Sequence, residues 1–494
     1  MTRLPSILYL GESARDEIPA AVITDLNLAR ILPEETCAIL RRLLTAEEII
    51  ARQEIFRHLE SAQFSDTLTS LSEALSAYAQ SQTALASAKS ELEELFLLRR
   101  RCVAFTRIHA AAMTLTEGSS SALLLALQQY FAERTDAAML AREQLDATAA
   151  AVETLSAACI RFEREETLRL TAPGDSLCAK LEDAIRAVGC NPRPAKSAGM
   201  RIEGALSDAM ARLYPDAFAA LCRMRDVLRQ QLPSDLAALR GEIDFYRSIH
   251  ALTVRAVTAG CACCFPTVTD TRRYTAKDAY DYTLLVKDAP IVPNNIDFDA
   301  GTDVCFLTGA NGGGKTTYLR CTAANLLLAL CGCPVFAASM TVYPFRYLCT
   351  HFPADETFTG SGRLVEEAAR VDDLLARCPQ DSFVFLNETY SGTDDVKGAE
   401  LTVECAARLR RLGAFGLYVT HFHEVASRGF PMLTTVIDER DSSHRTFRIV
   451  KQKGAGSSYA EDILKKYGLD AATLERRAAD ESAVSIQRGD SRRG

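Results

Sequence analysis

The chain has 494 residues, more than one ordinary core accommodates, so several domains are expected. Its hydrophobic content of 48% supports globular folding, and its net charge of −8 excludes a chain that binds nucleic acid as a polycation; any such binding needs a local basic patch. No stretch approaches the ~20 apolar residues of a membrane span, and the N-terminal MTRLPSILYLG has no signal-peptide pattern, so a cytoplasmic protein without membrane contact is expected.

Between Pro33 and Pro173 there is no proline and one glycine, Gly118, in a segment rich in Ala, Leu, Glu and Arg. That composition predicts several long helices, and the lack of a sustained heptad favours a packed helical domain over a coiled coil. NPRPAKSAG (Asn191 to Gly199) reads as a loop, made locally basic by Arg193, Lys196 and Arg201. Helical composition resumes from Ala205 to about Thr258, after which CACCFPTVTD turns β-like. From there to about Tyr459 strands and helices alternate, which predicts an α/β nucleotide domain. The expected division is an all-α region over 1–258, an α/β domain over 259–478 and a polar, disordered tail over 479–494.

Of the sixteen cysteines, Cys261, Cys263 and Cys264 form one tight group and Cys331 with Cys333 another. Cys261 and Cys264 make one C-x-x-C, but no second pair has matching spacing, so reduced core thiols are expected and no structural zinc.

TGANGGGKTT (Thr308 to Thr317) contains G-x-x-x-x-G-K-[ST] as Gly309, Gly314, Lys315 and Thr316. DVCFL before it reads as a strand and YLRCTAANLLLAL after it as a helix, the context a phosphate-binding (Walker A) loop needs. Glycines let backbone N–H groups close around phosphate oxygens, and the helix N-terminus adds its positive end. Gly309, Ala310, Asn311, Gly312, Gly313, Gly314, Lys315, Thr316 and Thr317 are therefore the expected triphosphate contacts, with Lys315 reaching the terminal phosphates and Thr316 holding Mg²⁺.

DSFVFLNETYSGTDD (Asp381 to Asp395) puts Asn387 and Glu388 at the C-terminal end of an apolar strand, where α/β sheets place ligands. Glu388 is the candidate general base. Asn387 occupies the usual magnesium-side position, where an amide oxygen can bond a magnesium-bound water but carries no charge; slower turnover is expected. GLYVT (Gly416 to Thr420) is another strand, placing His421 beside the terminal phosphate as a candidate sensor, with His423 read as a loop residue. TGSGRLVEEAARV (Thr359 to Val371) reads as a Ser/Gly turn opening a helix; Ser361 either caps that helix or faces the nucleotide of a second subunit.

In this order the motifs IVPNN (Ile291 to Asn295), TGANGGGKTT, GSGRLVEE, LNETYSGTDD and VTHFHE resemble the MutS DNA mismatch repair ATPases, a branch of the ABC-type ATPases. GAGSSYAEDILKKYGLDAATLERRA (Gly454 to Ala478) is similar to that family's closing helices, and TAEEIIARQEIFRHLE (Thr45 to Glu60) to the start of its helical core and lever. The resemblance implies a helical core/lever and clamp region followed by a P-loop ABC-type ATPase domain. It implies further that Pro293 and Asn294 lie near base and sugar, that Ser361 reaches the partner's γ-phosphate in trans, and that Asn387 and Glu388 serve magnesium and water. His421 would read the γ-phosphate. A homodimer with two composite ATP–Mg²⁺ sites follows, in which ATP closes the nucleotide domains and long helices pass this to a DNA clamp.

The chain departs from the family pattern in several places. It begins at or near the lever, without room for mismatch-reading and connector domains or the wedge phenylalanine and glutamate, so direct mismatch reading is not expected. Ile291 stands where an aromatic often stacks on adenine, Cys321 replaces a glutamine, and no nuclease-like domain follows Ala478. An ATPase clamping duplex or branched DNA by charge and shape, with Arg193, Lys196 and Arg201 as contacts, is the leading reading. An ATP-switched scaffold that hydrolyses weakly or not at all, and a ribosome- or RNA-directed relative, are the alternatives. A chromosome-organising protein would need the glycine loop near its N-terminus.

Overall fold

The computed structural model describes residues 3–11, 17–156, 159–162, 168–171, 204–352, 363–390, 393–437 and 445–452. Arg193, Lys196, Arg201, Ser361, the Gly454–Ala478 segment and the tail 479–494 lie outside the described residues. The helices in chain order begin with α1 (Ala20–Asp25), α2 (Glu34–Leu40), α3 (Ala46–His58), α4 (Ala62–Leu85) and α5 (Glu91–Thr116). They continue with α6 (Ala122–Ala132), α7 (Thr135–Ala147), α8 (Ala149–Ser156), α9 (Gly204–Leu213), α10 (Pro215–Leu228) and α11 (Ala237–Thr258). The last are α12 (Tyr282–Val286), α13 (Lys315–Leu330), α14 (Arg363–Arg377) and α15 (Asp395–Arg411). Chain contacts gather into two compact units, one of residues 1–10 and 57–244, the other of 11–56 and 245–494.

The first unit is helical. Along α5 the buried residues Leu92, Leu95, Leu98, Cys102, Phe105, Ile108, Ala112 and Leu115 recur every three or four positions, one apolar stripe. The Ser90 hydroxyl accepts from the Glu93 N–H at 3.2 Å, and Glu91, Glu93 and Glu94 oppose the positive end of the helix. Against this frame the loop before α11 is pinned: Tyr78 and Arg101 both donate to the Pro233 carbonyl, and Tyr130 donates to Asp235 at 3.0 Å. The unit is not wholly helical, which corrects the all-α region that composition predicts over 1–258. β1 (Cys159–Phe162) and β2 (Leu168–Thr171) pair antiparallel. In CIRF and LRLT the apolar residues recur at period two, a strand pattern short enough to be masked by the surrounding alanine-rich helices.

The second unit carries mixed α/β sheets. A four-stranded sheet runs β3 (Thr267–Val268), β7 (Ser339–Val342), β4 (Tyr274–Ala279), β5 (Asn294–Phe298). A six-stranded sheet runs β12 (Arg445–Lys451), β11 (Met432–Ile437), β6 (Val304–Thr308), β10 (Phe415–Val419), β9 (Ser382–Asn387), β8 (Tyr347–His351). β8, β9, β10, β6 and β11 are mutually parallel and β12 closes one edge antiparallel. β6, β8, β9 and β10 are buried at every position, which is why their sequences are continuous apolar runs without polar alternation. Phe383 of β9 meets Phe298 and Tyr274 edge-on at 5.2 and 5.9 Å, joining the sheets through aromatic packing.

The N-terminal piece belongs to this second unit. Thr45 and Glu48 form a reciprocal capping box at the start of α3, with Thr45 N–H to Glu48 Oε2 at 2.9 Å and the Glu48 N–H to Thr45 Oγ1 at 3.3 Å. Fully buried Arg52 donates to the Cys331 carbonyl at 2.9 Å. Gly332, with φ +67°, lets α3 approach: a Cβ there would lie 3.0 Å from Arg52 Cβ and 3.1 Å from the Ile49 carbonyl. Cys331 and Cys333 are core thiols beneath this contact, while Cys261, Cys263 and Cys264 are half-buried.

Candidate functional site

β6 ends at Thr308 and α13 starts at Lys315, so the glycine run forms a strand–loop–helix corner at the C-terminal edge of the parallel sheet. Gly309, Gly312 and Gly314 all have positive φ, a backbone only glycine adopts cheaply. A Cβ on Gly309 would sit 2.2 Å from the Thr435 hydroxyl, and one on Gly313 would sit 2.9 Å from the Ala310 carbonyl. The loop thus packs directly on Thr435 of β11, whose hydroxyl is buried and has no hydrogen-bond partner among the described residues. Asn311 and Gly312 stand at the exposed rim and Ala310 is buried.

Lys315 is only 5% exposed. Its ammonium donates to the Gly309 carbonyl at 2.8 Å, to Asn311 Oδ1 at 3.1 Å and to the Ala310 carbonyl at 3.4 Å, and lies 4.0 Å from Glu388 Oε1. Burial holds it below the usual lysine range, partly offset by the Glu388 carboxylate. A buried cation held by loop carbonyls is positioned to meet an anion entering the loop. Thr316 donates to Asn387 Oδ1 at 3.4 Å. Asn387 is the last residue of β9 and buried; Glu388, half-exposed, turns with φ +48° while its N–H donates to the Val419 carbonyl at 2.8 Å. That left-handed turn is costly for a glutamate and bends the chain away from the sheet at the point where the carboxylate leaves the strand.

His421 follows β10, which pairs with β9 through Val419 and Asn387 at their ends, so His421 and Glu388 leave adjacent strands at one edge. The next residue, Phe422, is fixed by α15: a Cβ on Gly398 would lie 2.1 Å from the Phe422 ring, so Gly398 is the notch that receives it. The His421 and Phe422 rings are 4.2 Å apart. Lys315, Thr316, Asn387 and Glu388 are therefore in mutual reach, and His421 shares their edge.

Pro293 and Asn294 stand at the start of β5 and are stitched to β12. Asn294 donates to the Phe447 carbonyl at 3.0 Å and accepts from the Ile449 N–H at 2.8 Å, and Arg448 donates to the Pro293 carbonyl at 2.8 Å. Between them and the loop lies a cavity of about 260 Å³ lined by Tyr280, Asp281, Asn294, Thr317 and Phe447 among others. Asp281 and Phe447 were not singled out in the sequence. Asp281 caps α12, accepting from the Thr283 N–H at 2.9 Å and hydroxyl at 2.7 Å, and burial pushes its carboxyl up. Phe447, at φ +54°, sits where β11 and β12 change register, which aims its ring at Gly314, 3.3 Å from where a Cβ would be. D-x-T before an apolar turn is a readable cap signal; a bulge outside every motif carries none.

Fold and site define a protein with a mixed α/β unit whose parallel sheet presents a glycine-rich strand–loop–helix corner and two strand-end polar residues beside it. The family model for MutS domain V matches residues 305–480. DNA mismatch repair protein MutS of Synechococcus sp. (strain CC9605) is 28% identical over 283 residues, covering 55% of this chain and 30% of that protein. The protein of the same name from Granulibacter bethesdensis (strain ATCC BAA-1260 / CGDNIH1) is 29% identical over 224 residues, 43% of this chain and 24% of that one. The protein from Streptococcus uberis (strain ATCC BAA-854 / 0140J) is 28% identical over 192 residues, 37% and 23% respectively. These matches support a MutS-family protein, and the chain spans less than a third of the length of these curated relatives. Among the described residues no helix is long and apolar enough to cross a membrane.

Proposed function

We propose that this protein is an ATPase whose α/β domain, residues 259–478, binds ATP with Mg²⁺ at Gly309–Thr317 and works as a dimer on DNA. The observation that carries the reading is the convergence of Lys315, Thr316, Asn387 and Glu388, with Lys315 Nζ 4.0 Å from Glu388 and Thr316 Oγ1 3.4 Å from Asn387. The residues fit a magnesium triphosphate. The loop cannot carry side chains at Gly309 or Gly313, and the buried lysine is held by carbonyls that a phosphate can displace. Thr316 would hold Mg²⁺ directly and Asn387 through water; the ion supplies positive charge against the terminal phosphates. Glu388 accepts the proton of the attacking water, and Lys315 neutralises charge on the transferred phosphoryl group. His421, from the adjacent strand, bonds the terminal phosphate and reports its presence. Asn294 lines the cavity that takes base and sugar, and Pro293 beside it is stitched to β12 with it.

The composite site rests on the resemblance to the MutS family: Ser361 of one subunit would complete the site of the other, with the Gly454–Ala478 helices pairing the subunits. DNA is held by backbone charge and shape, with Arg193, Lys196 and Arg201 as contacts, in repair or recombination. Asn387 favours a second reading on one specific ground. A neutral amide beside Thr316 binds magnesium more weakly than a carboxylate, so turnover is slow, and in the limit ATP acts as a dimerisation switch on a scaffold. A single-turnover ATPase assay of the wild type against Glu388→Ala separates these. A large rate difference supports the hydrolysing clamp; equal rates support the scaffold. Salt-dependent retention of duplex or branched DNA on filters supports the clamp, and no retention at low salt removes it. Preferential retention of structured RNA would redirect the reading to an RNA-bound relative.

A further inference from the structure

Two thiols that the nucleotide site does not use lie against each other at the other edge of the six-stranded sheet. Cys349 is in the middle of β8, the edge strand, and Cys378 directly follows the last turn of α14. Their sulfurs are 3.5 Å apart although the residues are 29 positions apart in sequence. Both are buried, Cys349 at 1% exposure and Cys378 at 6%. Their environment is asymmetric. The hydrogen bond between the two sulfurs holds the Cys378 thiol below its usual range against the opposing effect of burial, and the same contact together with burial pushes Cys349 well up. Cys405 of α15, buried beside the pair, adds to the rise at Cys349.

We propose that Cys349 and Cys378 are a dithiol modification site that a hydroperoxide oxidises to an intramolecular disulfide. Cys378 is the attacking sulfur because it is the more exposed of the two, at 6% against 1%, and its thiolate, the nucleophilic form, is the better favoured. It displaces the O–O bond of hydrogen peroxide, forming the sulfenic acid and releasing hydroxide, which takes up a proton to leave as water. The Cys349 sulfur then attacks the sulfenyl sulfur; the S–S bond forms, the S–O bond breaks, and a second water carries away the Cys349 proton. The dithiol loses two electrons and the peroxide gains them. A disulfide needs sulfurs at ~2.05 Å, so the pair has to close from 3.5 Å by about 1.5 Å. The bond would tie β8 to the C-terminal end of α14, the crossover that leads into β9 and its terminal Asn387 and Glu388.

Mass spectrometry on the full wild-type chain tests this without relying on a variant that must fold. The protein is treated with hydrogen peroxide, its free thiols are blocked with N-ethylmaleimide under denaturing conditions, and it is digested with and without dithiothreitol. The expected result is a Cys349–Cys378 cross-linked peptide that dithiothreitol removes. Cys349→Ser should leave Cys378 as a sulfenic acid that dimedone traps, and Cys378→Ser should leave Cys349 reduced. Blocking of both thiols by N-ethylmaleimide at peroxide doses that oxidise the half-buried Cys222 overturns the proposal, as does a Cys378–Cys405 cross-link. An effect on turnover rests on the ATPase reading: oxidation should slow the wild type reversibly and leave Cys378→Ser at its starting rate. A reduced protein without turnover counts against that reading and leaves the cross-link standing; a missing cross-link counts only against the dithiol site.

Discussion

The helical unit and the α/β unit use the backbone differently. Of the described residues with positive φ, Gly118 alone lies in the helical unit; all the others, including Glu388, Tyr390 and Phe447, lie in the α/β unit. Gly118 ends a helix in open space, with nothing within 4 Å of a would-be Cβ, whereas a Cβ on Gly309 would collide with the Thr435 hydroxyl. In the first unit left-handed backbone is a loop convenience. In the second, Gly309, Gly312, Gly314, Glu388, Tyr390 and Phe447 carry it in the glycine loop, after β9 and at the register shift of β12, and the other such residues lie elsewhere in the unit. Strain of this kind persists only where surrounding packing fixes it, which is what a site needs and a helix bundle does not.

Substitutions test this difference between the two units. The largest effect is expected at Glu388: Glu388→Gln should retain ATP binding while single-turnover hydrolysis falls ~10²–10⁴-fold, the usual contribution of a general base. Next come the two glycines. Gly309→Ala should destabilise the α/β unit by about 3 kcal/mol, combining a glycine-only φ of +126° with a clash against Thr435. Gly118→Ala, with φ +68° and open space, should cost about 1 kcal/mol; chemical denaturation of both measures the difference, and equal costs would erase the contrast. Gly398→Ala drives a methyl into the Phe422 ring and so shifts His421, which should lower turnover ~10–100-fold with ATP affinity kept.

The smallest effect concerns Asp281. Burial raises its carboxyl above the unfolded value of 3.8, so its folded-state penalty is fully present above the raised value and is relieved as pH falls through it toward 3.8. Asp281→Asn keeps a helix cap while removing the buried charge. It should gain less than ~1 kcal/mol at neutral pH, and the gain should vanish as the pH is lowered through that window. A gain that grows on acidification would contradict the assignment.

Much of the site was legible because it is local. Strand, glycine run and helix follow one another in Val304–Leu330, and Asn387, Glu388 and His421 are strand-end residues that an apolar run followed by polar residues marks. What was not legible is nonlocal packing. Thr435 is placed under Gly309 by the parallel pairing of β11 with β6, and the Arg52 bond to Cys331 spans 279 positions. Neither leaves a periodic trace. Phe447 owes its direction to a register shift between two strands, which depends on their pairing and not on their composition. The two-strand ladder of β1 and β2 has a period-two trace, but it is too short to stand out from an alanine- and leucine-rich background.

The central claim is that Lys315, buried in its own loop, waits for a triphosphate. Equilibrium binding of radiolabelled ATP with Mg²⁺ to the full chain and to Lys315→Ala tests it most directly. We expect saturable retention by the wild type and an affinity weaker by about tenfold to a hundredfold in the variant, the worth of one or two hydrogen bonds to a charged group. No retention by the wild type, or equal retention by both proteins, would contradict it.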